Sequence, residues 1–167
     1  MAWTNDDGLV VKFPGDDRIE HGGELPGAGE YRVITVKFDL ADVDTSATLL
    51  DDSIIVPRNS RIEQVELVSE TAFTGITTLD VGLIRLDQST ELDANGFIAA
   101  APVADFAADS NKVVYNQGSD EHGALIGTTT AYPGLLTATR AGSAGTGTGI
   151  LRVKLYVPGA DANPGQF

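Results

Sequence analysis

From Arg32 onward the chain alternates, with Ile34, Val36, Phe38 and Leu40 at every second position and Thr35, Lys37 and Asp39 between them. A strand turns successive side chains to opposite faces, so a period of two predicts a half-buried β-strand. The same period returns near the other end, where Leu151, Val153, Leu155 and Val157 alternate with Arg152, Lys154 and Tyr156 until Pro158 stops the strand. Between these lie shorter signals. Ile54-Ile55-Val56 predicts a strand that Pro57 ends or confines to an edge. Residues 61–73 carry Ile62, Val65 and Leu67, whose uneven spacing predicts a bulge. Residues 77–87 carry Leu79, Val81 and Leu83 in register, and Thr74-Gly75-Ile76 is expected to join the two as a hairpin. Ile84 and Leu86 break the phase, which predicts a bulge near Gly82 or burial on both faces.

Asp93-Ala94-Asn95-Gly96 is expected to be a tight turn, because Asn-Gly supplies the positive φ values of a reversal. The Ala-rich stretch after Ile98 predicts the one short helix, at about residues 102–108, with Pro102 in its first turn. Further strands are expected at 112–115, 123–126 and 134–141, with 42–52 as a loop. Many short strands and no crossover helices predict an all-β, antiparallel two-sheet sandwich. Jelly roll is the expected topology. An immunoglobulin-type sandwich is the alternative, disfavoured because its Cys…Trp…Cys core is missing and the loops are irregular.

The expected organisation is an extended N-terminal arm at 1–30 with at most one strand, a sandwich at 31–158 and a flexible tail at 159–167. Gly and Pro punctuate the first 30 residues, leaving only Leu9-Val10-Val11-Lys12-Phe13 as an apolar patch. At 167 residues a single domain buries roughly 70% of its unfolded surface, enough for a core without staples. There is no cysteine, which removes disulfides and thiol or Cys-zinc chemistry.

Charge narrows the function classes. Eleven Lys+Arg against 24 Asp+Glu give −13, and the basic residues are scattered, so no stripe is available to release counterions from a phosphate backbone. Nucleic acid is therefore not an expected partner. Residues 1–15 lack the basic start and the long apolar run of a signal peptide, and no stretch approaches the ~18 apolar residues of a membrane span.

The candidate chemical motifs each fall short on spacing. Glu91-x-Asp93-x-Asn95-Gly96 begins like an EF loop, but Pro102 stands where a bidentate Glu is needed. Asp16-Asp17 and Asp51-Asp52 lack a third ligand, and the two histidines, His21 and His122, are too few for a zinc site. Ser119, Asp120, Glu121 and His122 are sequence neighbours, which cannot converge as nucleophile, orienter and base. Gly145-Thr146-Gly147-Thr148-Gly149 leads into a strand, whereas a phosphate loop leads into a helix N-terminus. No metal, cofactor or catalytic residue is expected, and the chain is read as a non-enzyme. Trp3, Leu9, Val11 and Phe13 are the expected partner-binding residues, since the arm has too few apolar neighbours to bury them; an arm folded back onto its own sandwich is the alternative.

One resemblance sharpens this. Ile55-Val56-Pro57, Arg61-Ile62-Glu63-Gln64-Val65-Glu66-Leu67, Thr71-Ala72-Phe73-Thr74-Gly75, Thr78-Leu79-Asp80-Val81-Gly82-Leu83 and Asp93-Ala94-Asn95-Gly96 are followed by a Gly/Thr-rich final strand from Gly145 to Val153. This series, over residues 53–97 and 133–158, resembles tailed-phage head decoration (cement) proteins. The resemblance implies a homotrimer made in the host cytoplasm and bound to the major capsid protein on the outer capsid surface, where it stabilises contacts between capsomers. A carbohydrate- or receptor-binding module of a tail fibre or baseplate is the competing expectation, because jelly rolls also build lectins. Tyr115 with Asn116 and Gln117, or Tyr132 with Pro133, would be its sugar-facing residues.

Overall fold

The computed structural model describes residues 2–4, 10–12, 30–88 and 91–158. Residues 31–157 form one compact unit, built of two antiparallel sheets. Its strands are β3 (Glu30–Asp39), β4 (Thr48–Leu49), β5 (Ile55–Val56), β6 (Arg61–Ser69), β7 (Thr74–Arg85), β8 (Glu91–Pro102), β9 (Lys112–Tyr115), β10 (Gly134–Thr146) and β11 (Thr148–Val157). A separate unit contains β1 (Ala2–Thr4) and β2 (Val10–Lys12), an antiparallel pair in the segment expected to hold at most one strand.

One sheet has the order β3-β11-β6-β9; the other has β4-β10-β7-β8, with β5 also on β10. β4 and β5 meet successive stretches of β10 and together act as one interrupted strand. Eight strands then pair first with last, second with seventh, third with sixth and fourth with fifth. That is a long hairpin rolled onto itself, the jelly roll, and the immunoglobulin order is excluded.

The alternation seen in sequence points into the gap between the sheets. Val36 and Phe38 of β3, Val65 and Leu67 of β6 and Leu151, Val153 and Leu155 of β11 face Leu79, Val81, Leu83, Leu136 and Ala138 of the other sheet in one buried cluster. Phe73 bridges Phe38 (ring centroids 6.1 Å apart) and Phe106 (5.3 Å) at one end. The spacing of Ile62 and Val65 does mark a bulge, since the β6–β11 register shifts between Lys154 and Leu155.

Several local expectations change. Thr74-Gly75-Ile76 opens β7 and is no hairpin, because β6 and β7 lie in different sheets and residues 70–73 cross between them. The Gly/Thr run near the C-terminus is likewise a sheet-to-sheet crossing: β10 extends to Thr146, β11 starts at Thr148, and only Gly147 (φ +127°) separates them. Gly145 and Gly149 are needed for space there, since a Cβ would press on Leu40 and Ile76, or on Phe38 and Phe73.

Asp93–Gly96 is not a turn but an irregularity inside β8: where β7 advances from Val81 to Leu83, β8 advances from Asp93 to Ile98. The excess folds over Gly82, whose missing side chain makes room. Bulged backbone needs other partners. Residues 121–125 supply them through Ala99 N–H to Glu121 O (2.8 Å), Gly123 N–H to Phe97 O (3.1 Å) and Leu125 N–H to Gly96 O (2.8 Å). The strand expected at 123–126 is therefore a turn fitted to that bulge. The short helix is a 3-10 turn, Val103–Phe106, with Pro102 just before it at the end of β8. Leu40–Asp42 forms a second 3-10 turn, and the loop expected at 42–52 contains β4.

Candidate interaction surface

The polar motifs singled out in the sequence do not converge. Ser119 Oγ lies 2.7–2.9 Å from the backbone N–H, the carbonyl and the side-chain Oδ1 of Asn116, while His122 Nδ1 meets the Ser119 carbonyl. Serine and imidazole are thus each tied to the turn and not to one another. Asp51 Oδ1 accepts from the Ser53 hydroxyl (2.6 Å) and the Ser53 N–H (2.8 Å), which hold its carboxyl below the usual range and close a surface turn. Asp93 Oδ1 accepts from Asn95 N–H within the β8 bulge. No group of three or more His, Asp or Glu that could hold a metal occurs among the described residues. Asp16, Asp17 and His21 lie outside them.

Tyr115 is a core residue, 1% exposed, and its hydroxyl finds no partner. Burial pushes that phenol far above its ordinary pKa, with Asp105 and Glu121 adding to the rise. The sugar-facing group built on Tyr115 is therefore overturned: its place opposite Val65 turns the ring inward. Tyr132, by contrast, is 48% exposed. Of the four arm residues, Trp3 and Val11 are cross-strand partners in the β1–β2 pair, and Leu9 and Phe13 lie outside the described residues.

A surface does assemble on the outward face of the four-stranded sheet. The strand period that sends Leu151, Val153 and Leu155 into the core sends Ile150, Arg152, Lys154 and Tyr156 out. Neighbouring strands add Gln64, Glu66 and Val68 from β6, Lys112 and Val114 from β9, and Tyr31, Val33, Thr35 and Lys37 from β3. Tyr31 is 75% exposed and its ring sits 5.1 Å from that of Tyr156, with Val33 exposed beside them.

Glu66 sits at the centre of this face and is nonetheless buried. The register places it between Arg152 and Val114, and Lys112 Nζ reaches its Oε2 at 2.7 Å while Arg152 Nη1 holds Oε1. The hydrogen bond from Lys112, with a smaller part from Arg152, keeps the Glu66 carboxyl below its ordinary value against the desolvation that opposes it. Lys37 pairs with Glu70 (2.8 Å), whereas Lys154 joins none of the ion pairs among the described residues. Five of the 11 basic residues of an acidic chain, Arg61 opposite Tyr156 among them, thus share one sheet face with two tyrosines. Aromatic residues and arginine are enriched at protein interfaces, and charged groups such as lysine stand at their polar rim.

Positions 37 and 112 are distant in sequence from 152 and 154, so this surface was not legible as a cluster. The one available signal was the alternation Arg152, Lys154, Tyr156.

No family model matches the chain, and no curated protein matches it. Among solved structures it is similar to a chain in the capsid of Ralstonia phage GP4, at 19% identity and a TM-score of 0.50, covering 79% of this chain and 86% of that one. It is also similar to a chain in the acidic stable capsid structure of Helicobacter pylori bacteriophage KHP30, at 14% identity and a TM-score of 0.47, covering 78% and 94%. At such identities the likeness is one of fold.

Proposed function

We propose that this chain is a virion structural protein of a tailed phage, a cement or decoration subunit that binds the major capsid protein on the outer capsid surface as a homotrimer. The observation that carries this reading is the outward face of β3, β11, β6 and β9, where Tyr31, Tyr156 and Val33 share one sheet with Lys154, unpaired among the described residues, and with Lys37, Lys112 and Arg152, each held by a carboxylate, on a chain of net charge −13. A rigid sheet face of this kind binds by shape and charge and performs no chemistry. The fold shared with a chain of the GP4 capsid supports a place in a capsid. The acidic remainder of the surface suits the exterior of the particle, away from packaged DNA.

Repetition makes modest contacts sufficient. In a trimer bridging several capsid subunits, each later contact forms at a high effective concentration, so a face worth little by itself holds firmly when used three times. The arm that carries Trp3, Leu9, Val11 and Phe13 would extend the reach of each subunit to its neighbour.

Co-sedimentation with capsids of the parent phage stripped of this protein tests the proposal. The parent chain is expected to saturate the particles in copy numbers that follow the capsid lattice, and the Tyr31→Ala, Lys154→Glu double variant to bind at least about tenfold more weakly. A parent chain that stays in the supernatant, or is found only at the tail, would refute it.

A further inference from the structure

The β7 end that leads toward β8 and the segment entering β10 meet at one end of the sandwich, where Gly134 pairs with Arg85. Arg85, Leu86, Asp87, Tyr132 and Pro133 line an open depression of ≈ 360 Å³ there. The Arg85 guanidinium lies 4.0 Å from the centre of the Tyr132 ring, a cation–π distance. Leu86 and Tyr132 are 45% and 48% exposed, so the rim is apolar where the chain has no core to cover it.

Arg85 differs from Arg61, Arg140 and Arg152. Arg140 donates Nε to the Val43 carbonyl (2.7 Å) and Nη1 to the Gly142 carbonyl (2.8 Å); Arg152 binds Glu66; Arg61 binds Glu63 (3.1 Å). Arg85 joins no ion pair among the described residues, and its Nε is covered without any acceptor. A covered charged donor left unmatched is costly, and a chain with 24 carboxylates had ample choice of partner. Its two Nη groups are not covered, and together they present the parallel donors that a planar carboxylate fits.

We propose that this depression receives a carboxylate of a protein partner, an Asp or Glu side chain or a chain terminus, with the Arg85 guanidinium as its donor and Leu86, Tyr132 and Pro133 as the apolar seat for the adjoining residue. A sugar acid fits less well. Its ring hydroxyls need several polar partners, whereas the lining side chains among the described residues offer, besides Arg85, the Tyr132 hydroxyl and Asp87, which is already engaged, and Arg85 lies against the tyrosine ring. The inference rests on the reading of this chain as a subunit that binds other proteins and adds an anchor at a second surface.

The test follows the Arg85 Nε–Hε signal and the backbone amides of residues 85–87 and 134 by NMR, using the full chain. Three probes are titrated to about 10 mM, enough to populate a millimolar contact: acetyl-Asp-Leu-amide, acetyl-Asn-Leu-amide and N-acetylneuraminic acid. The Asp peptide is expected to shift these signals saturably, with the Asn peptide at least about tenfold weaker, and Arg85→Lys is expected to lose a similar factor while keeping a dispersed spectrum, because an ammonium lacks the fork. Equal responses to Asp and Asn peptides, no response to either, or preference for the sugar acid would overturn the inference. Capsid co-sedimentation separates the two failures: a chain that coats capsids while Arg85 ignores every probe refutes this anchor alone.

Discussion

Glu66→Gln keeps the shape of the side chain at the centre of the four-stranded sheet and removes its charge. In the parent, one carboxylate, 5% exposed, neutralises Lys112 and Arg152, which are 51% and 39% exposed and come from strands on either side. Hydrogen bonds to charged groups contribute about 1.5–3 kcal/mol each when shielded. Solvent on the cations reduces that toward the 0–1 kcal/mol of surface pairs, so about 1–2 kcal/mol for the two together is expected. For a domain of this size that lowers the thermal midpoint by about 2–8 °C at pH 7. The pH dependence identifies the cause. Because the folded-state pKa of Glu66 is depressed, its stabilisation is complete above the ordinary value near 4.5 and is lost as pH falls through the folded-state value. Calorimetric unfolding from pH 7 down to pH 3 should therefore show the gap between parent and variant steady until about pH 5 and closing below it. A gap that persists unchanged in acid, or is absent at pH 7, would show that the carboxylate charge does not hold β9 and β11 to β6.

Three further outcomes are expected. Phe73→Ala empties the position between Phe38 and Phe106 and should cost about 3–5 kcal/mol in urea unfolding; a loss under 1 kcal/mol would mean the aromatic bridge is not packed as described. Gly82→Ala places a Cβ 2.1 Å from the Asp93 carbonyl oxygen, so a penalty on the order of 3 kcal/mol and poor soluble yield are expected, and a folded variant of parental stability would contradict the β8 crossing. Removing residues 1–14 should leave the amide spectrum of the sandwich dispersed while abolishing capsid coating, and a shortened chain that coats capsids as well as the parent would remove the arm from the proposed function.

Alternation at Ile34–Leu40 and Leu151–Val157 was legible because a strand's side-chain period is a local steric property, needing no knowledge of what lies opposite. The same reasoning read the bulge at Ile62 and Val65, the absence of long helices and the two-sheet class. Which strands pair was settled by the whole chain. Residues 70–73 and Gly147 carry the backbone from one sheet to the other, and the glycine and small polar residues beside them, Thr74-Gly75 and Gly145 to Gly149, are those a hairpin also uses. For the same reason Asn95-Gly96 read as a turn when it is a swelling inside β8 over Gly82. The basic, aromatic face and the Arg85–Tyr132 depression belong to tertiary structure alone. Lys37 and Lys112 are far in sequence from Arg152 and Lys154 and come onto the same sheet face only through a register set by long-range pairing, and an arginine outside the ion pairs of the described residues is visible only in the folded chain.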